Sequence, residues 1–185
     1  VTMLSSEESR YIEIAGGTGF AKDYKGGEYS FIGILPPEDM GVEEYVAMLA
    51  ADSKDTTDSS LASAVRNARR DIPVYVWMPE FTEDYGIEMA ELLAGMGMPS
   101  AFGMDADFSR MMTDGSGYIG AVIHKTHIEV DRKGTKAAAV TAIEIDECAF
   151  EEPEAVYIHL NRPFLYGIVD NETGLPIFLG CVNEL

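Results

Sequence analysis

Gly134-Thr135-Lys136-Ala137-Ala138-Ala139-Val140-Thr141-Ala142-Ile143-Glu144-Ile145 has the composition of a strand but no evident neighbour to pair with. Read with a period of two, Thr135, Ala137, Ala139, Thr141, Ile143 and Ile145 share one face. Lys136, Ala138, Val140, Ala142 and Glu144 share the other, which turns acidic towards Asp146. No proline lies between Pro99 and Pro153, so every amide from Gly134 to Glu152 is free to donate to a ladder. The run nevertheless leads into Asp146-Glu147-Cys148-Ala149-Phe150-Glu151-Glu152-Pro153, whose charges and proline mark an exposed connection. A segment suited to the middle of a sheet and followed by an exposed loop reads as a strand held in reserve.

Around this run the chain alternates short strands and a few helices. Residues 10–14, 20–24 and 28–35 read as strands, with Gly16-Gly17 and Gly26-Gly27 as turns. Pro36-Pro37 ends the third, and Val42, Tyr45, Val46 and Leu49 follow helical spacing over 42–50. A second helix is expected around 59–69 and a third over 87–96. Residues 73–81 are apolar on both faces, as in a strand covered on both sides. Residues 118–130 read as one long strand, and 155–160, 164–169 and 175–182 as three more, the last two joined by Asp170-Asn171-Glu172-Thr173-Gly174. The class is α+β, dominated by sheet.

The 185 residues match one ordinary domain, and a hydrophobic fraction of 46% argues against disorder. A net charge of −19 argues against nucleic acid or an anionic membrane as a partner. No apolar run approaches membrane-spanning length. Cys148 and Cys181 make no disulfide framework and are expected to be free thiols. His124 and His127, three apart on an expected strand, point to opposite faces and cannot chelate one metal. Gly115-Ser116-Gly117 is not a nucleophile elbow, and Gly16-Gly17-Thr18-Gly19 lacks the lysine and helix of a phosphate loop. No metal, cofactor or catalytic residue is called for.

The flanks of the reserve strand add a resemblance. Ile123-His124-Lys125-Thr126-His127-Ile128-Glu129-Val130 followed by Gly134 to Thr141 resembles the hinge of the serpins, protease inhibitors with a mobile reactive loop. Asn161-Arg162-Pro163-Phe164-Leu165-Tyr166 and Asp170 to Gly180 resemble that family's closing strand pair. Tyr24-Lys25-Gly26-Gly27-Glu28-Tyr29-Ser30, Ile34-Leu35-Pro36, Met78-Pro79-Glu80-Phe81 and Ala106-Asp107-Phe108-Ser109 match in family order. The resemblance, to a member of bacterial type, implies that residues 1–185 are the C-terminal portion of a single serpin domain, with the N-terminal half absent. It places the reactive loop at about 134–154.

It further implies a suicide-substrate inhibitor of serine proteases. Cleavage of the loop forms an acyl-enzyme, and the hinge, Gly134-Thr135-Lys136-Ala137-Ala138-Ala139-Val140-Thr141, inserts into the main sheet. The buried face of such a hinge must be small and neutral, as Thr135, Ala137, Ala139 and Thr141 are. His124 matches a buried histidine that latches the sheet where it opens, with its partners in the N-terminal half. Counting about 14 residues from Gly134, at about 3.3 Å each, gives a strand of about 45 Å and a reactive bond between Cys148 and Ala149. Ala149–Phe150 is the alternative bond, as is cleavage after Phe150. Cys148 suits elastase-like proteases and Phe150 chymotrypsin-like ones, and no Arg or Lys lies between Lys136 and Arg162. Two departures stand out: Arg132-Lys133 where a glutamate is common, and Lys136 for an acidic residue, both expected to alter opening kinetics only. The competing readings are a non-inhibitory serpin acting as carrier or chaperone, and an unrelated β-rich binding domain. The family implies an extracellular or cell-surface location.

Overall fold

A computed structural model describes residues 2–52, 60–112, 117–132 and 155–185. They fall into two compact units, 1–81 with 130–185, and 82–129.

The larger unit is built on a five-stranded antiparallel sheet. Strands β2 (Tyr11–Ile14), β3 (Gly17–Asp23) and β4 (Tyr29–Leu35) form a meander, reversed at Ala15-Gly16 and Gly26-Gly27. β9 (Phe164–Asp170) adds to β4, and β10 (Pro176–Val182) to β9, giving the order β10-β9-β4-β3-β2. β4 is central, and six of its seven residues are buried because both faces are covered. One face carries Ile12, Ile14, Ile32, Ile34, Leu165 and Val169 under helix α1 (Val42–Asp52) and helix α2 (Leu61–Arg66). The fully buried Tyr45 of α1 donates its hydroxyl to the Ile14 carbonyl at 2.6 Å, and burial pushes its pKa up to about 12. The other face is aromatic: Phe20, Phe31, Phe164 and Tyr166 pack in a chain with Phe81. Gly33 makes room for it, since a Cβ there would lie 2.8 Å from the Phe20 ring.

A three-stranded sheet has the order β1-β5-β8. β1 (Met3–Glu8) runs antiparallel to β5 (Val74–Pro79), and β8 (Val156–His159) runs parallel to β5. Val74, Val76, Met78 and Ile158 form its buried face.

The smaller unit holds most of β6 (Phe81–Glu88) and β7 (Ile123–Val130), which pair as a two-stranded sheet, with α3 (Ala90–Gly95) and a 3-10 turn at Pro99–Phe102. Glu88 ties it together by accepting from the amides of Ala90 and Val122.

Several sequence expectations shift. β1 and β6 were not expected: Ser5, Ser6, Glu7 and Glu8, and Thr82 to Gly86, lack an apolar period, because neither strand has a fully buried face. β6 runs on to Glu88, so the helix expected over 87–96 shortens to Ala90–Gly95. The long strand expected over 118–130 begins only at Ile123. The helix around 59–69 is Leu61–Arg66, capped by Ser60, whose hydroxyl accepts from the Ser63 amide. Beyond it the chain leaves to exchange two backbone hydrogen bonds between Arg69 and Tyr11.

Arg10, 2% exposed, knits these elements together. Its Nη1 donates to Asp23, Ser30 and Asn171 at 2.7–2.9 Å, and its Nη2 to the Val65 carbonyl at 2.9 Å. One side chain therefore joins the lead-in to β2, the end of β3, β4, α2 and the turn after β9. Burial alone would raise the Asp23 pKa, but the hydrogen bonds from Ser30 and Arg10 and the Arg10 charge outweigh it and hold the carboxyl below its ordinary value. The β9–β10 turn is held by Asp170, which accepts from the amide and hydroxyl of Thr173, contacts that depress its pKa. Arg66 donates to the Thr173 carbonyl. Gly174 sits at φ 73° against α2, and a Cβ there would strike the Ala62 carbonyl.

Three predictions follow from these contacts. Arg10→Ala is expected to cost about 3 kcal/mol in denaturant unfolding, the low end for a broken buried pair because Asp23 is 44% exposed and rehydrates. The stability that Asp23 adds is present above its unfolded pKa and lost as pH falls through its depressed folded value, so Asp23→Asn should flatten the acid limb of a pH–stability curve. Gly174→Ala should cost about 2 kcal/mol, from left-handed backbone strain and the collision with α2, measured the same way.

Candidate functional site: the roots of the loop

The hinge residues Gly134, Thr135, Lys136, Ala137, Ala138, Ala139, Val140 and Thr141 lie outside the described residues. So do the reactive-bond candidates Cys148, Ala149 and Phe150. The two roots of that segment are described, and they belong to different sheets. β7 of the two-stranded sheet leads in, and β8 of the three-stranded sheet leads out.

At the entering root the chain is buried at Val130 and emerges through Asp131 and Arg132. The Arg132 Nε lies 3.3 Å from a carboxylate oxygen of Glu80, the residue that separates β5 from β6. Arg132 thus has an acidic partner from the Met78-Pro79-Glu80-Phe81 motif. Sequence reading had both residues in hand, but they are 52 positions apart (132 − 80), and no periodicity joins them. Arg132 is 70% exposed, so the pair is a surface contact that steers the chain more than it stabilises it.

His124 stands on β7 and is exposed. His127, on the same strand, pairs with Asp84 of β6 at 2.7 Å. Among the described residues no group of three His, Cys, Asp or Glu side chains converges on a metal position. No helix among them is long and apolar enough to cross a membrane.

At the leaving root β8 is gripped along its length. The Val156 amide donates to the Pro73 carbonyl and the Leu160 amide to the Trp77 carbonyl, at 3.0 and 2.8 Å. Tyr157 stacks on Tyr75 with centroids 5.4 Å apart, and His159 stacks on Trp77 at 4.4 Å and 4°. Downstream, Arg162 donates to the Pro36 carbonyl, tying the start of β9 to the end of β4. Cys181, on β10, is a free thiol whose pKa is raised by burial and by the nearby Glu43 carboxylate, which keeps it protonated.

The sequence model of the serpins, described as serine protease inhibitors, matches residues 1–185. The chain belongs to the serpin family. Its fold agrees: the native state of tengpin, a thermophilic serpin, superposes with a TM-score of 0.77 at 40% identity over 99% of this chain and 46% of tengpin. The latent state of tengpin gives 0.71 and 35% over the same shares. Iripin-5 of Ixodes ricinus is 31% identical over 88% of this chain and 39% of its own length. This serpin chain thus spans less than half the length of the curated relatives it matches. Its family is one of protease inhibitors rather than of enzymes, and the sheet-dominated α+β class read from the sequence is that of the serpin fold.

The Glu80–Arg132 contact is open to a charge-reversal cycle. Arg132→Glu or Glu80→Arg alone sets like charges together and should lower stability by up to about 1 kcal/mol. The double reversal should restore it, as measured by thermal unfolding of the four proteins side by side.

Proposed function

We propose that this chain is the C-terminal portion of a single serpin domain, which works with an N-terminal half as a suicide-substrate inhibitor of serine proteases. Its reactive loop is residues 134–154 or close to them. The observation that carries this reading is the setting of that segment. It leaves β7, which among the described residues pairs only with β6, and its first residues are small and neutral on one face.

The protease serine attacks the Cys148 carbonyl, the bond to Ala149 breaks, and Cys148 is left as an acyl ester while Ala149 carries away a free amine. The severed hinge then adds beside β7, with Thr135, Ala137, Ala139 and Thr141 facing the interior. An inserted strand of about 14 residues carries the tethered protease about 45 Å from its docking point. His124, on the receiving strand, acts as the latch, with its partners in the N-terminal half. The uncut form is held by the barrier to opening, not by being the lowest state. That tengpin has been solved in both a native and a latent state supports a fold with more than one resting conformation. Elastase-like proteases are the favoured targets, with chymotrypsin-like ones acting at Phe150.

Incubating the complete serpin with an elastase tests this. The expected results are a complex that survives denaturing gels, a C-terminal peptide beginning at Ala149 by mass spectrometry, and a large rise in melting temperature after cleavage. Thr135→Arg would drive a charge into the sheet interior and turn the inhibitor into a substrate. Cleavage near Cys148 with neither a trapped complex nor a higher melting temperature would overturn the proposal and leave a carrier or chaperone role.

A further inference from the structure

His159 ends β8 and lies opposite Trp77 in the parallel ladder that joins β8 to β5. That register puts both side chains on one face of the sheet. The rings lie flat on one another, with centroids 4.4 Å apart and 4° between their planes. One of the two can carry a charge, which ordinary packing partners cannot. A neutral imidazole meets the indole through ring contact alone. An imidazolium over the same face is also drawn by the indole quadrupole, the strongest that an aromatic side chain offers a cation. Histidine side chains change charge between pH 5 and 8. The attraction between β5 and β8 therefore depends on pH at this pair, with no movement of the chain.

The described groups that share this face are few. Tyr75 and Tyr157 continue the stack, and Tyr157 lies 6.3 Å from Trp77. On β1, Ser5 is opposite Trp77 and Glu7 opposite Tyr75. Glu7, two strands from His159, is the carboxylate among them, and its charge favours the imidazolium in the same sense. Arg162, the next cation along the chain, is bound to the Pro36 carbonyl. The stack also sits at the end of the ladder. The Leu160 amide donates to the Trp77 carbonyl at 2.8 Å, and the Asn161 amide to the His159 carbonyl at 2.9 Å. Whatever tightens these two rings also tightens the last hydrogen bonds of β8 before the chain passes to β9.

We propose that the Trp77–His159 stack is a charge-dependent clamp on the strand that follows the loop segment. Protonating His159 tightens β8 against β5, and losing the proton as pH rises loosens it. The inference goes beyond the inhibitory reading and does not rest on it, because the contact lies wholly within β5 and β8.

The test follows hydrogen exchange of the Val156 and Leu160 amides in the complete serpin at about pH 5.5 and about pH 8, as protection corrected for the intrinsic rate. Protection in the parent should be about two- to fivefold higher at the lower pH than at the higher. His159→Gln removes the charge, leaves Glu7 in place, and should abolish that ratio. His159→Phe keeps a stacked ring without a charge and should hold β8 equally at both pH values. Trp77, the one tryptophan among the 185 residues, supplies a second readout. Its fluorescence, taken as parent minus Trp77→Phe, should rise with pH as the quenching imidazolium is lost, and should stay flat in His159→Gln. The proposal is overturned if the protection ratio of the parent matches that of either His159 variant. A fluorescence step without a change in protection overturns it as well, because His159 would then titrate against Trp77 without gripping the strand.

Discussion

The pairing of β4 with β9 is the constraint on which the rest depends. β4 precedes the loop segment and β9 follows it, and the two exchange a full antiparallel ladder from Tyr29↔Asp170 to Ile34↔Leu165. Around that ladder close the Ile32, Ile34, Leu165 and Val169 core on one side and the Phe31–Tyr166 stack on the other. Arg10 adds a buried polar tie by reaching Asn171 beyond β9 from the lead-in to β2. A cut anywhere in 133–154 would therefore leave the downstream piece bound by a sheet ladder, two cores and a charged hub. A break there would leave the fold held together.

Much of this frame was legible because its strands are strongly patterned. Ser30 to Leu35 and Phe164 to Val169 are nearly continuous apolar runs between turn signals, the mark of strands buried on both faces. α1 announced itself through Val42, Tyr45, Val46 and Leu49 after Pro36-Pro37. β1 and β6 escaped because their pairing is carried by backbone hydrogen bonds and neither has a fully buried face, so no apolar period marks them. The Arg10 hub escaped for another reason: its acceptors come from positions 23, 30, 65 and 171, and only the folded chain brings them together.

Residues 134–154 lie outside the described residues, and their small-residue face and the run without proline up to Pro153 are features of the sequence alone. At its roots the same reading noted Arg132 as a departure and had no means of seeing Glu80 opposite it. A charge that looks out of place in one dimension is answered in three, and nothing local in the sequence encodes the answer.

The two roots are held by different kinds of contact. Where the chain leaves β7, the Arg132–Glu80 ion pair is exposed and worth at most about 1 kcal/mol. At β8 it is held by a parallel ladder, flanking backbone hydrogen bonds and two ring stacks, each stack worth about 1 kcal/mol beyond its buried area. Aromatic residues thus gather where β5 and β8 pair, whereas the residues that follow β7 are the charged Asp131 and Arg132.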